Sequence, residues 1–200
     1  MQTAHVILKS ISPLLLNPMT DETLDELFAG SGARKLRKTD VTQEAVAAKK
    51  VIRDDDGNIG LPVEYLFAAL VNAGRFVKFD SKKNFTNATS SLVPGLLTLG
   101  EMFYPFKDQK TPWTIDKRRG RLASTGVAVA IIRPKFKDWA IDLTAEFDEA
   151  QVSESKIREL FNAAGRFSGL GDFRPACKGP FGRFTIDSWE VVKSEVREAA

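Results

Sequence analysis

The sequence predicts an α+β protein of 200 residues, a single domain built on an antiparallel sheet with inserted arms, and three observations carry that prediction. A run of β-branched and aliphatic residues at 3–11 opens the chain. Two stretches with apolar residues every three or four positions, at 62–74 and 153–165, each end on a glycine. Extended segments follow each of them. The resulting order of strand, helix, two strands, helix, strand is the split βαβ pattern of ferredoxin-like and RRM-like sheets.

The first strand stops at Ser12-Pro13. A short helix is expected at 20–29, where an acidic first turn precedes Leu24, Leu27 and Phe28 at helical spacing. Residues 30–50 are polar and basic and read as an insertion, with one helical turn around 43–50. Asp54-Asp55-Asp56-Gly57-Asn58 is a turn signal. Pro62, at the first position of a helix, precedes Val63, Leu66, Phe67, Leu70, Val71 and Ala73. Residues 79–120 are rich in Ser, Asn, Pro and Lys and read as a second insertion, with one strand at 96–104. The segments 121–133 and 138–147 read as two strands paired antiparallel across the turn at 134–137. Ser153 is the expected cap of a helix that stops at Gly165, and the last strand is expected at 181–192.

Composition narrows the function classes. With 43% hydrophobic residues the chain can bury a core, and its single Cys177 excludes an intramolecular disulfide. No signal peptide opens the sequence and no apolar run is long enough to span a bilayer, so a cytoplasmic protein without a membrane anchor is expected. The net charge of +3 is small, but its distribution is uneven. Cations gather at 34–38, 49–53, 82–83, 117–121 and 166–183; acids gather at 21–26, 54–56 and 146–159. Such separation can give one face a potential that attracts phosphates, or it can be ordinary solvated charge.

The segment from Gly165 to Phe184 carries most of the functional argument, with five glycines in eighteen residues at 165–182 between a helix and a strand. Glycines there suit positive φ values or close approach of the backbone to another group. The amides of Gly169 and Gly171 are expected near phosphates, with Arg166, Arg174, Lys178 and Arg183 adding charge. Phe167, Phe173, Phe181 and Phe184 are interleaved with them, and stacking a base on an aromatic face contributes about 1–3 kcal/mol. The phenylalanines can equally be core residues, and the loop can be a tight connection whose arginines are capped by Asp172. A dinucleotide loop is set aside: Arg174 stands where the third glycine belongs, and the loop follows a helix instead of opening one.

On these residues the chain resembles the RAMP superfamily, the RNA-binding proteins that form the backbone of CRISPR effector complexes. The segment 165–184 is similar to that family's C-terminal glycine-rich loop. Val6-Ile7-Leu8-Lys9-Ser10-Ile11-Ser12-Pro13-Leu14 resembles its first strand and Ser-Pro-Leu turn, and Ile59-Gly60-Leu61-Pro62 resembles its entry to the first helix. The glycine-rich segment is also similar to phage proteins with a Gly-Arg-Phe ending, which suits a compact phage or mobile-element member. The resemblance implies an RRM-like fold, binding to RNA or single-stranded DNA, self-association along the strand, and contacts with other effector-complex subunits. It further implies a thumb-like role for the arm around Trp113, where Lys117, Arg118, Arg119 and Arg121 join the candidate nucleic-acid contacts. This arm is expected to be disordered until nucleic acid binds.

Catalysis has little to draw on. His5 is the one histidine, which excludes a two-histidine acid-base pair. RAMP-type endoribonucleases often use a histidine, so the resemblance implies His5 as the candidate for a small metal-independent endoribonuclease, the alternative to a non-catalytic binder. Asp54, Asp55 and Asp56 read as a solvated turn, and no metal site or cofactor is expected. A protein-interaction or inhibitor module using the same fold is a third reading, since fold does not fix function.

Overall fold

A computed structural model describes residues 1–28, 42–110, 112–121 and 125–193. The basic cluster at 34–38 lies outside the described residues. In chain order the elements are β1 (Gln2–Ser10), β2 (Leu14–Leu15), α1 (Asp21–Phe28), α2 (Gln43–Ala48), β3 (Gly60–Pro62), α3 (Val63–Ala73), α4 (Val93–Leu96) and β4 (Leu97–Leu99). There follow β5 (Phe103–Pro105), β6 (Trp113–Arg121), β7 (Ala128–Phe136), β8 (Ala140–Phe147), α5 (Glu154–Ala163) and β9 (Phe184–Lys193).

The principal sheet has the strand order β4-β8-β1-β9, antiparallel throughout. Read as β1, α3, β4, β8, α5, β9, this is the split βαβ arrangement expected from the sequence. Alternation in β1 explains its place: Ala4, Val6 and Leu8 are fully buried, while His5 and Lys9 face solvent. The core is completed by Leu66, Ala69, Leu70 and Ala73 of α3 and by Ile157, Leu160 and Phe161 of α5. Both helices turn an i, i+3, i+4 stripe onto the sheet. No described helix is long and apolar enough to cross a membrane.

Several expectations are corrected by the pairing. The segments 121–133 and 138–147 do not form a hairpin. β7 instead pairs with β6 and β2 in a second sheet, whereas β8 lies between β1 and β4 in the first. Trp139 makes the division. Its indole donates to the Ser12 carbonyl at 3.2 Å and its carbonyl accepts from the Ser10 amide at 2.9 Å, so the chain passes from one sheet to the other at this buried ring. The strand expected at 96–104 is two short strands; β4 joins the principal sheet and β5 pairs with β3. Residues 79–120 are therefore more than surface insertion, because Phe85, Val93, Leu97, Tyr104 and Phe106 belong to the main core. The helix begun after Ser153 runs past Gly165 through a π-helical turn over Ala164–Ser168, and the last strand begins at Phe184, not 181.

Tyr104 is fully buried, and burial pushes its hydroxyl pKa up to about 12. The folded state thus holds that proton more tightly than the unfolded chain. Stability tied to it is complete below the ordinary tyrosine pKa of 10 and is lost as pH rises from there through about 12. Tyr104→Phe should flatten the alkaline limb of the stability–pH curve measured by denaturant unfolding. A limb that keeps its slope would assign alkaline unfolding to other groups.

Candidate nucleic-acid interface

The glycines between α5 and β9 serve chain-on-chain packing. A Cβ on Gly182 would stand 1.8 Å from the Leu170 carbonyl oxygen, and one on Gly171 would stand 2.3 Å from that of Leu15; both residues have positive φ, +69° and +72°. These positions reject any side chain on two grounds, close approach and backbone conformation. The neighbouring amides are used in closing the loop. Gly169 donates to the Ala164 carbonyl, Leu170 to Gly182, Asp172 to Leu15, and Gly182 to Pro13, at 2.7–2.9 Å. Gly169 and Gly171 are themselves buried. The amide of Gly169 is thus spent within the loop and not on a phosphate, and Gly171 packs against Leu14 and Leu15 of β2.

A chain of charges joins this loop to the β6–β7 hairpin. Asp116 of β6 and Arg133 of β7 are directly opposed in the ladder, and Arg133 Nε donates to Asp116 Oδ2 at 2.9 Å. Both side chains are under 10% exposed. Arg133 Nη1 also donates to Asp172 of the glycine-rich loop, and Arg118 Nε donates to both Asp116 oxygens at 3.0 and 3.1 Å. The Arg118 guanidinium lies over the rings of Phe181 and Phe173, 4.8 and 5.7 Å from their centroids. Lys50, from the basic segment expected at 30–50, donates to the Ile132 carbonyl and to Asn17, each at 2.8 Å. Its pKa is lowered, first by burial and then by repulsion from Arg133, with Asp172 acting in the opposite direction.

This assembly corrects the arm's expected behaviour. Residues 113–121 form a strand paired at every position with β7, so the arm is built before any ligand arrives. It also divides the four arm cations. Alternation places Arg118, itself partly exposed, on the face that carries Phe173 and Phe181, while Lys117, Arg119 and Arg121 share the other face of β6 at intervals of about 7 Å. All three of these are exposed and make no ion pair among the described residues.

The loop cations spread out instead of clustering. Arg174 donates to the Gly171 carbonyl at 2.9 Å and lines a cleft of about 360 Å³ with Asn17, Glu64, Tyr65, Ala68 and Asp172. Tyr65 in that cleft has its hydroxyl pKa raised, chiefly by burial. Lys178 is exposed in a left-handed conformation after a short 3-10 turn, Pro175–Cys177. Arg183 has an exposed side chain, and its amide donates to Ser12 Oγ at 2.9 Å. Arg166 lies over Phe167, 5.3 Å from the ring centroid. Of the loop phenylalanines, Phe184 is core, Phe173 and Phe181 are half-buried beneath Arg118, and Phe167 is exposed.

His5 stands apart from these groups, exposed in mid-strand between Thr144 of β8 and Glu190 of β9. That open face of the sheet also carries Asp142 and Glu146, so it has neither the aromatics nor the charge for base stacking. Asp54 is occupied in its turn, accepting from the Asn58 amide and side chain, which hold its carboxyl below the usual range. Cys177 is exposed and free. Sequence reasoning missed Asp116, Arg133 and Lys50. The available signals were an acid, Asp116, beside the cations at 117–121 and an arginine closing the apolar run at 127–132.

No protein-family model matches the chain, and no curated protein is similar to it in sequence. Solved structures do match. A chain of the type III-B Cmr-beta complex bound to cognate target RNA, seen by cryo-EM, superposes with a TM-score of 0.57 over 97% of this chain at 12% identity. The likeness is one of fold. The present chain spans 61% of that chain's length.

Proposed function

We propose that this protein binds single-stranded RNA without cleaving it and coats the strand as a repeating subunit, in the manner of the guide-RNA-coating backbone of a CRISPR-type effector complex. The observation that carries this reading is the row of Lys117, Arg119 and Arg121. Among the described residues these three cations have no acidic partner; they stand on a preformed strand, and the Asp116–Arg133–Asp172 chain, buried at its first two members, locks that strand to the glycine-rich loop. Arg174, Lys178, Arg183 and Arg166 add further cations, spread along the glycine-rich loop. Phosphates supply most of the affinity in such interfaces, and a rigid cationic row loses little freedom on binding them. The fold is that of a chain in an RNA-bound multi-subunit complex, which supports RNA and neighbouring subunits as partners.

A single copy covers few nucleotides. Head-to-tail contact between acidic surface at 21–26 or 146–159 of one copy and the basic hairpin of the next would join their rows into one groove. Light scattering with RNA oligomers of increasing length tests this: bound mass should rise stepwise with length. A mass fixed at one protein per oligomer would exclude coating. The same RNA incubated in chelator should stay intact; cutting that disappears in His5→Ala would replace this reading with a ribonuclease.

A further inference from the structure

Both helices of the split βαβ unit end in the same tripeptide, Gly74-Arg75-Phe76 after α3 and Gly165-Arg166-Phe167 after α5. In both, the glycine is buried where a side chain would collide. A Cβ on Gly74 would lie 2.4 Å from the Thr86 hydroxyl, and one on Gly165 would lie 2.0 Å from the Phe184 carbonyl oxygen. The chain is thereby turned so that the following Arg-Phe points outward. Phe76 is 61% and Phe167 42% exposed, and the two rings lie against each other with centroids 4.8 Å apart, tilted by 32°. The tripeptide does not itself force exposure, because Phe184 of Gly182-Arg183-Phe184 is 2% exposed.

Two exposed aromatic rings brought together from separate helices need an occupant, and the surrounding charge indicates which kind. Arg75 and Arg166, each next to one of the two phenylalanines in sequence, are both exposed, and the Arg166 guanidinium lies over Phe167. Two residues beyond Phe76, Lys78 begins a groove of about 430 Å³ that is also lined by Lys82 and Lys83. The acid in this segment, Asp80, is held by the amides of Lys82 and Lys83. An aromatic surface rimmed by cations, with phosphate-sized room lined by lysines next to it, fits a nucleotide better than an apolar peptide.

We infer that the Phe76–Phe167 pair is a stacking platform for a nucleobase of the bound single strand, with the Lys78–Lys82–Lys83 groove receiving an adjoining phosphate. This rests on the RNA-binding reading above and adds a base-stacking subsite made of residues other than the hairpin's cationic row. The test compares fluorescence-labelled uridine RNA with an abasic sugar–phosphate oligomer of equal length, by anisotropy, for the wild type and for Phe76→Ala/Phe167→Ala. The double variant should lose roughly tenfold or more in affinity for uridine RNA, with its salt slope and its affinity for the abasic oligomer unchanged. Phe76→Leu/Phe167→Leu, which keeps apolar bulk, should lose the same preference, and Phe76→Trp/Phe167→Trp should restore it. Unchanged uridine affinity, or equal loss on both oligomers, would overturn the platform. So would lost self-association with RNA affinity intact, which would make the pair a protein contact. A wild type that binds both oligomers equally with a steep salt slope defeats this inference alone; one that binds neither defeats the RNA-binding reading as well.

Discussion

Replacing Arg133 with methionine should destabilise the protein by about 3–5 kcal/mol, the usual cost of leaving a buried charge without its partner. Asp116 would keep only Arg118, whose side chain is 41% exposed, and Asp172 would lose its link to the hairpin. Methionine nearly fills the volume, so the loss reports on charge and not on a cavity. Asp116→Leu combined with Arg133→Met should recover most of the stability, because two apolar side chains in that place leave no buried ion. Chemical denaturation of the two variants is sufficient. A loss below about 1 kcal/mol in the single variant would mean that the ion chain does not hold hairpin and loop together.

Removing the cationic row should act on binding and leave folding alone. Lys117→Ala, Arg119→Ala and Arg121→Ala together take three exposed charges from a strand whose pairing they do not sustain. For single strands each neutralised phosphate contributes about −0.7 to the slope of log affinity against log salt, so the triple variant should flatten that slope by about two units. Arg118→Ala should behave in the opposite way. It uncovers Phe173 and Phe181 and weakens the hold on Asp116, so its effect should appear in thermal stability before it appears in the salt slope. If Arg118→Ala flattened the slope as much as the triple variant, its assignment to the hairpin–loop contact would be wrong.

The parts of the fold that were legible are those whose local pattern and tertiary role agree. Ala4, Val6 and Leu8 alternate because β1 has one buried face, and the stripes on α3 and α5 repeat as helices packed on a sheet must. Pairing was not legible. β4 is only three residues long and offers no period to detect, whereas β7 carries Pro134 within it and adjacent isoleucines at 131 and 132 that blur alternation. Four residues between two extended runs suggested a hairpin, and nothing local reveals that Trp139 anchors to Ser10 and Ser12, some 127 positions away.

At the site, residue type was readable and direction was not. The glycines are required, as their density implied, but for close contact with the protein's own chain: Gly171 meets Leu15, Gly182 meets Leu170, Gly165 meets Phe184 and Gly179 meets Phe173. Lys117, Arg118, Arg119 and Arg121 look alike in sequence. Strand alternation sets Arg118 over the loop's Phe173 and Phe181 and puts the other three on the opposite face, a distinction that became visible only once 113–121 proved to be a strand. The Gly-Arg-Phe echo at the ends of two helices was present in the sequence, yet its meaning depends on Phe76 and Phe167 meeting in space.

The most direct measurement is equilibrium binding of the wild-type protein to a labelled single-stranded RNA, followed as salt is raised. Engagement of the hairpin row together with at least one loop cation predicts saturable binding whose log affinity falls against log salt with a slope of about −3 or steeper, from four or more phosphates at about 0.7 each. Absence of saturable binding at low salt, or an affinity indifferent to salt, would contradict the account.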